Sequence, residues 1–323
     1  MNRKNSLNRR HFIGACASVM AFPVRAQSFP SRSIRMVVPY PAGGSTDQLA
    51  RAIQVPLQEF LGQSIVIDNK PGAGGTIGTD LVAKSAPDGY TLVFGNTGPN
   101  AVVSLMRKVP YDPIADFRPV STVALTPMIL AVPSNSPAAT LKEFLAYARQ
   151  QGNAMNYGSV GNGSLSHLTG EYFNELSGLK MVHVPYAGGA PLLTAFASGQ
   201  LHAAFVTGLD GASMLASGKV RYLAVATPAR TDVVPGLAPI VEEVPGFNST
   251  AWFGVLAPKG VPAEVHARLN AAVTAAVGRP DIRKLFSERN IEARSSTAQQ
   301  MEALIASEQK LWGQVIRKGG ITS

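Results

Sequence analysis

The fold class follows from the stretch PYPAGGSTD at residues 39–47. An apolar run at residues 34–38 precedes it. A helical pattern follows it, with Leu49, Ile53, Leu57 and Leu61 spaced by four residues. The stretch is therefore predicted to be a Gly-rich turn between a strand and a helix. Strands that alternate with helices along a chain are typical of a parallel sheet, which indicates an α/β fold.

Two interpretations of this turn are open from its residues alone. In the first, the glycines at 43 and 44 let the backbone approach a ligand. Ser45, Thr46 and the unpaired N–H groups of the helix start then hold a carboxylate or phosphate. In the second, Ser45, Thr46 or Asp47 only caps the helix and the glycines only form the turn. The stretch alone favours the second interpretation, so a functional role has to rest on other residues.

The next part of the chain repeats the order of strand, turn and helix. Residues 64–68 are predicted to be a second strand, and the turn NKPGAGGTIG at residues 69–78 leads to another helix. This turn resembles a dinucleotide-binding fingerprint. The acidic residue that such a site requires after the next strand, Tyr90–Phe94, is missing. Close backbone packing is therefore the predicted role of these glycines.

Polar residues recur where later strands end. Asn96 and Thr97 follow the third predicted strand, and ligands of open parallel sheets bind at the carboxyl ends of strands. A second Gly/Ser turn, NYGSVGNGSLSHL at residues 156–168, leads to a helix, and Thr207 follows a strand at Leu201–Val206. These residues are either plain turns and caps or neutral hydrogen-bond donors that surround one ligand.

The C-terminal third has apolar stripes at helical spacing. One stripe contains Val265, Leu269, Val273 and Val277, and a last helix is expected to begin at a capping box, Ser296–Gln299. Stripes of this kind pack in the core, and we assign no function to them.

Composition describes an ordered globular protein. The chain has 323 residues, enough for two domains, with 46% hydrophobic and 15% charged residues. Its net charge of +9 includes five basic residues and no acid at residues 1–26. The rest has 24 Lys and Arg against 20 Asp and Glu, which leaves +4. No cluster of basic residues follows residue 26, which argues against nucleic-acid binding.

Residues 1–26 are predicted to be a cleavable export signal. A basic start, an apolar stretch at Phe12–Phe22 and small residues up to Ala26 follow one another in the order of a secretory signal. The motif RRHFI at residues 9–13 resembles a twin-arginine signal, although two neighbouring residues depart from its usual pattern. Sec and twin-arginine export both remain open, and the predicted location is the periplasm.

Catalytic patterns are absent from the sequence after the signal. Cys16 is the only cysteine and lies within the signal, so disulfides and cysteine chemistry are excluded from the mature chain. A Gly-x-Ser-x-Gly nucleophile elbow is missing, and the remaining histidines have no metal-ligand spacing. His167, at a predicted helix start, is interpreted as structural. Neutral donors at several strand ends favour reversible binding over bond breaking.

Together and in order, these stretches resemble the TctC/Bug family of extracytoplasmic solute-binding proteins of tripartite tricarboxylate transport. The likeness covers nearly all of the chain from Phe29 onward. It is found in PAGGSTD at residues 41–47, NKPGAGGTIG at 69–78, APDGYTL at 86–92, the turn from 157 to 168, VPYAG at 184–188 and WFGVLAP at 252–258.

The resemblance implies a type II-like periplasmic-binding-protein fold. Two α/β domains with mainly parallel sheets, joined by a hinge of crossing strands, would close on the ligand like a Venus flytrap. We expect domain 1 at residues 27–125 and 228–323, and domain 2 at residues 126–227. The resemblance also implies that a carboxyl group is held by the loop at Ser45 and Thr46 from one domain and by the loop at 159–164 from the other.

One departure from the family pattern concerns the end of the strand at Phe205. Many relatives have Asp-Asn there, whereas this chain has Val206 and Thr207, and Asp210 is shifted along the sequence. An acid that could hold a cationic ligand group is therefore expected to be missing. This favours a simple carboxylate over an amino acid. Asp47 is expected to face backbone N–H groups of its helix start, away from the ligand.

The predicted function is a periplasmic solute-binding protein that captures a small carboxylate, either a di- or tricarboxylate or an aromatic acid. We expect no catalysis, cofactor or metal, and a monomer whose partners are membrane subunits of a tripartite tricarboxylate transporter or a sensor kinase. The alternatives are a ligand-sensing adaptor of the same fold and a secreted α/β enzyme. The expected ligand contacts are Ala42, Gly44, Ser45, Thr46, Asn96, Thr97, Ser159, Gly163, Ser164, Tyr186, Gly188 and Thr207.

Overall fold

The structure is a computed structural model that describes residues 29–186 and 189–321. The predicted export signal at residues 1–26 and the expected ligand contact Gly188 lie outside the described residues. Within those two ranges, no helix is long and apolar enough to cross a membrane.

The N-terminal part forms the strand–turn–helix repeats that the sequence predicts. Its elements are β1 (Ile34–Val38), α1 (Ser45–Leu61), β2 (Ile65–Asn69), α2 (Thr76–Ala83), β3 (Thr91–Asn96) and α3 (Val103–Met106). Strand β1 pairs in parallel with β2 on one side and with β3 on the other. Helix α1 ends at Gly62, whose φ of +71° suits a glycine after a helix. Its apolar residues at a spacing of four are all buried.

The middle part of the chain builds a second set of parallel strands. Its elements are β4 (Phe117–Pro133), α4 (Leu141–Gln151), β5 (Asn156–Ser159), α5 (Leu165–Ser177), β6 (Val182–Pro185), α6 (Gly189–Ala197), β7 (Ala203–Thr207), α7 (Gly208–Ala216) and β8 (Val220–Val225). Strand β5 pairs in parallel with β6 and β7. Helix α4 is capped by Thr140, whose side chain accepts a hydrogen bond from the Glu143 N–H.

The C-terminal part returns to the first set of strands. Its elements are β9 (Ala238–Pro239), β10 (Thr250–Pro258), α8 (Ala263–Gly278), α9 (Pro280–Ser287), β11 (Glu292–Ala293) and α10 (Ala298–Gly319). The predicted cap of the last helix is wrong by one residue, because Thr297 and Gln300 form the capping box. Ser296 instead accepts a hydrogen bond from the Thr122 N–H, which ties it to β4.

Two antiparallel strands, β4 and β10, join the two parallel sets. The strand order is β2-β1-β3-β10-β4-β7-β5-β6. Strand β4 pairs with β10 over residues 117–127 and with β7 and β8 over residues 128–133. One long strand therefore belongs to both halves of the sheet. This is the arrangement of crossing strands that the resemblance implies.

The buried apolar residues divide between the same two halves of the sheet. Those of the first half include residues of β1, β3, α1, α8 and α10, and those of the second half include residues of β5, β7, α4 and β8. Ile240, Val244 and Phe247 pack with the second half. On these contacts we propose that the second domain extends from about residue 126 to about residue 248, beyond the expected boundary at 227.

Candidate functional site

A cavity of about 640 Å³ lies between the Gly-rich turn before α1 and the Gly/Ser turn before α5. We call these turns loop 1 (residues 39–47) and loop 2 (residues 158–167). The expected contacts that line the cavity are Gly44, Ser45, Thr46, Asn96, Thr97, Gly163, Ser164 and Thr207. Residues far apart in the sequence are thus brought together at strand ends, as the sheet topology predicts.

Three expected contacts with described positions do not line this cavity. Ala42 is exposed on the turn. Tyr186 lies beside a separate surface pocket with Pro191 and Gln200. Ser159 has no exposed surface, and its hydroxyl is hydrogen-bonded to His183 Nε2 at 2.6 Å. Ser159 therefore lies outside the cavity lining, where its hydroxyl is hydrogen-bonded to a histidine of the neighbouring strand β6.

Loop 1 begins its helix without a side-chain cap. The N-cap residue is Gly44, and the predicted capping by Ser45, Thr46 or Asp47 is not what the structure has. Among the described residues, no acceptor contacts the N–H groups of Ser45, Thr46 and Asp47. These donors at the first turn of a long helix are suited to an anion.

Asp47 supports loop 1 from the side away from the cavity. Its buried carboxylate accepts hydrogen bonds from Gly43 N at 2.8 Å, Arg51 Nε at 2.9 Å and Asn69 Nδ2 at 3.0 Å. Burial acts to raise the pKa of Asp47, but the hydrogen bonds from Arg51, Gly43 and Asn69 outweigh it and hold the pKa below its usual value. The structure thus agrees with the expected role of Asp47 at the helix start.

Asn96 joins the end of β3 to loop 1. Its Nδ2 donates to Thr46 Oγ1 at 3.2 Å, and its Oδ1 accepts from Tyr40 Oη at 3.3 Å and from Gly98 N at 3.1 Å. Thr97 is 2% exposed, and its Oγ1 accepts from Trp252 N on β10. The side chains of this part of the wall are therefore fixed by one another.

Loop 2 begins its helix with a conventional serine cap. Ser164 Oγ accepts from His167 N at 3.3 Å and donates to Gly161 O at 2.6 Å. Within the described ranges, the N–H groups of Leu165 and Ser166 have no acceptor. Gly163 has a φ of +73°, and a Cβ there would lie 2.9 Å from Met106 Sδ of α3, so this glycine allows loop 2 to approach the other half closely.

Two stacked histidines lie behind loop 2. The rings of His167 and His183 are 3.7 Å apart with an angle of 10° between their planes, and Gly163 N donates to His167 Nδ1 at 3.1 Å. Burial lowers the pKa of both histidines to about 4, and for His183 the neighbouring His167 contributes as well. The pair is therefore neutral at pH 7 and lies outside the cavity lining, which is compatible with the structural role predicted for His167.

Asp210 supplies the acid that the sequence was expected to lack. It lines the cavity, and its carboxylate accepts hydrogen bonds from Ser45 Oγ at 2.5 Å and from Thr207 Oγ1 at 2.7 Å. Thr207 is the N-cap of α7, so the first helical turn places residue 210 directly over it. An acid is therefore present in the lining, although the sequence analysis treats Asp210 as shifted away from the position that relatives use.

Arg107 is the second charged residue in the lining, and the sequence interpretation missed it. It follows α3 directly and is exposed, and its Nη2 donates to Ala73 O at 2.6 Å and Thr76 Oγ1 at 3.3 Å. Much of the remaining wall is apolar, formed by Val103, Met106, Met128, Val160, Leu165, Phe205 and Phe253. In the part of the chain that the structure describes, no group of three or more His, Asp or Glu residues could hold a metal.

A family model described as the tripartite tricarboxylate transporter family receptor matches residues 49–321. The chain belongs to this family, TctC. BugT of Bordetella pertussis is 34% identical to this TctC-family protein over 304 residues, which covers 93% of both chains. A protein of the tcbD-tcbE intergenic region of Pseudomonas sp. (strain P51) is 33% identical over 313 residues, covering 95% of this chain and 93% of its own.

Solved structures confirm the solute-binding-protein fold of this TctC-family chain. The protein Rpa4515 of R. palustris, solved with adipate, has a TM-score of 0.84 and 36% identity, covering 91% of this chain and 99% of its own. MatC of Rhodopseudomonas palustris, solved with bound malate, has a TM-score of 0.78 and 33% identity, with coverages of 89% and 100%. The predicted family and fold class are therefore confirmed.

Proposed function

We propose that this TctC-family receptor binds a small carboxylate in the cavity between loop 1 and loop 2. The observation that supports this most strongly is that two helix starts, one from each half, meet the same cavity with N–H groups that have no acceptor among the described residues. Each helix start stabilises an anion by roughly 0.3–1 kcal/mol through its dipole. Hydrogen bonds to a charged acceptor add to this.

The similar proteins support the same ligand class. Rpa4515 was solved with adipate and MatC with malate, and both molecules are dicarboxylates. In this chain, closure of the two halves would remove water from the carboxylate and strengthen its interactions with the N–H groups. A di- or tricarboxylate or an aromatic acid thus remains the proposed ligand.

Asp210 changes which acids belong in a test panel. Amino acids were set aside because an acidic partner for an ammonium group was expected to be missing. Asp210 lies in the lining, where its carboxylate can accept a hydrogen bond from a hydroxyl or ammonium group of a ligand. Hydroxy acids and acidic amino acids should therefore be tested beside unsubstituted acids.

The biological setting is part of the proposal. We propose that the mature chain acts in the periplasm, as a monomer, after export directed by residues 1–26. It would deliver its ligand unchanged to membrane subunits of a tripartite tricarboxylate transporter. Whether the ligand stays unchanged is tested by incubating the protein with each acid that binds and measuring that acid by mass spectrometry. Conversion of the acid would contradict this part of the proposal.

Calorimetry with a panel of acids tests the ligand class, and mass spectrometry of co-purified molecules narrows the panel. The double variant Ser45→Ala, Ser164→Ala should bind a carboxylate at least about tenfold more weakly, which corresponds to about 1.4 kcal/mol. The matched double variant Ser177→Ala, Ser307→Ala changes two serines outside the cavity lining and should bind normally. Unchanged affinity in the first variant would show that the two serine side chains do not contribute to holding the ligand, and the contacts of the backbone N–H groups would then need a structure with the bound acid.

A further inference from the structure

The cavity lining includes a positively charged side chain, Arg107, which belongs to neither of the two helix starts. Arg107 is the cation among its described lining residues, and Asp210 is the anion. No aspartate or glutamate of residues 29–186 and 189–321 forms an ion pair with Arg107. Cavity-lining cations without an acidic partner are suited to a negatively charged ligand group.

The hydrogen bonds of Arg107 to the described part of the protein involve only one edge of its guanidinium group. Only Nη2 has protein acceptors among the described residues, namely Ala73 O and Thr76 Oγ1. A guanidinium group has five N–H donors in a planar fork. The contacts at Nη2 therefore fix the position of the group while its Nε and Nη1 donors are available for a carboxylate, which arginine binds with two parallel hydrogen bonds.

A continuous wall connects Arg107 to loop 1. Tyr40 Oη contacts both Asn96 Oδ1 at 3.3 Å and Gly74 O at 3.5 Å. Asn96 contacts Thr46 of loop 1, and Gly74 adjoins the Ala73 carbonyl that Arg107 binds. Arg107 thus lines the same wall as the first turn of α1, but it lies beyond Tyr40 and the turn at residues 73–74.

The surfaces beside this wall suit an apolar part of a ligand. Val103 and Met106 precede Arg107 on α3 and line the cavity, as do Met128 and Phe205 from the other half. Methylene groups of a ligand would be buried against these side chains.

We propose that Arg107 binds a second carboxylate of the ligand, and that the cavity therefore selects linear α,ω-dicarboxylates whose other carboxylate lies at the helix starts of loops 1 and 2. This inference rests on the proposed function and assigns one residue to the choice of ligand. A different role for Arg107 would be structural only, since it also holds the turn at Ala73, a residue with a φ of +48°.

Paired ligands separate these two roles. Calorimetry would compare α,ω-dicarboxylates from succinate to suberate with monocarboxylates of equal carbon number, for the wild type, Arg107→Met and Arg107→Lys. We expect Arg107→Met to lose about tenfold or more in affinity for the best dicarboxylate, about 1.4 kcal/mol. Its affinity for the matching monocarboxylate should change by less than about threefold, because that ligand makes no contact with residue 107.

Two further variants complete the experiment. Arg107→Lys keeps the charge without the planar fork, so it should retain part of the preference for the dicarboxylate. Arg268→Met, an exposed arginine of α8 outside the cavity lining, is the matched control and should bind both ligand series as the wild type does. Thermal unfolding of all variants checks that they fold.

Each outcome decides the inference. Equal losses for both ligand types in Arg107→Met would show a structural role and overturn it, and so would unchanged affinity for both. In those cases the wild type still binds carboxylates, and the proposed function stands. A wild type that binds no acid of either series would overturn the inference, and the proposed function would fall with it only if the tricarboxylates, aromatic acids, hydroxy acids and acidic amino acids of the wider panel also fail to bind.

Discussion

Loop 1 and loop 2 place similar Gly/Ser turns at two helix starts, yet they are supported by different chemistry. Loop 1 has a glycine N-cap, and the hydroxyl of Ser45 contacts Asp210 on the opposite half. Loop 2 has a serine N-cap whose hydroxyl is used within the loop. A buried carboxylate supports loop 1, and a stacked pair of neutral histidines supports loop 2. Similar sequence patterns therefore predict the backbone better than the use of each side chain.

Acidification should separate the two loops most clearly. The pKa values of His167 and His183 are lowered to about 4, so the unfolded chain binds more protons than the folded one between about pH 6.5 and 4. Stability is then full above pH 6.5 and decreases as the pH falls, by up to about 1.4 kcal/mol per pH unit for each histidine. Asp47 has a lowered pKa, so its contribution is lost only as the pH falls further, through that lowered value.

Urea unfolding of the wild type and His183→Phe between pH 4 and 7 measures this effect. The variant keeps a ring against His167 but removes one titrating group, so its stability should depend less steeply on pH. His202 and His266 are present in both proteins, and their contributions cancel in the comparison. Equal slopes would contradict the role given to the histidine pair.

Loss of the carboxylate that supports loop 1 should have the next largest effect. Asp47→Ala removes the acceptor of three hydrogen bonds at a buried site, and we expect a loss of about 1–3 kcal/mol in the free energy of unfolding at pH 7. Glu288→Ala removes an exposed carboxylate 3.9 Å from Lys284 and should cost less than about 0.5 kcal/mol. Similar losses in both variants would show that Asp47 is not a support of loop 1.

The two cavity serines should differ in stability more than in ligand binding. Ser164→Ala removes a helix cap and should lower the free energy of unfolding by about 1 kcal/mol. Ser45→Ala removes no cap, and water in the cavity can replace its hydrogen bond to Asp210, so its stability should stay within about 0.5 kcal/mol of the wild type. Chemical denaturation of both single variants decides this, and a larger loss for Ser45→Ala would reverse the roles assigned to the loops.

The backbone of the site could be predicted from the sequence to a large extent. Residues 156–159, predicted to be part of a turn, form β5, and the meeting of Ser45 with Ser164 was implied by the resemblance alone. Apolar runs, Gly-rich turns and helical spacing predicted β1, α1 and α5, together with the meeting of Ser45 and Asn96 at strand ends. These features depend on local patterns and on the topology of parallel sheets. They are therefore visible in a single chain.

The side chains that modify the site could not be predicted in the same way. Asp210 reaches the cavity through one turn of α7, and Arg107 through a four-residue helix that has no amphipathic pattern. Ser159 is buried because His183, 24 residues later, is hydrogen-bonded to its hydroxyl. A helical projection from Thr207 would have indicated Asp210, whereas Arg107 and the Ser159–His183 contact depend on tertiary packing alone.

A crystal structure with the acid that binds most tightly tests the binding site most directly. We predict a carboxylate group of that acid within hydrogen-bond distance of the N–H groups at the first turn of α1 and at the first turn of α5 in the same molecule. A carboxylate that contacts neither helix start, or an acid bound outside the cavity between loop 1 and loop 2, would contradict the proposed binding site.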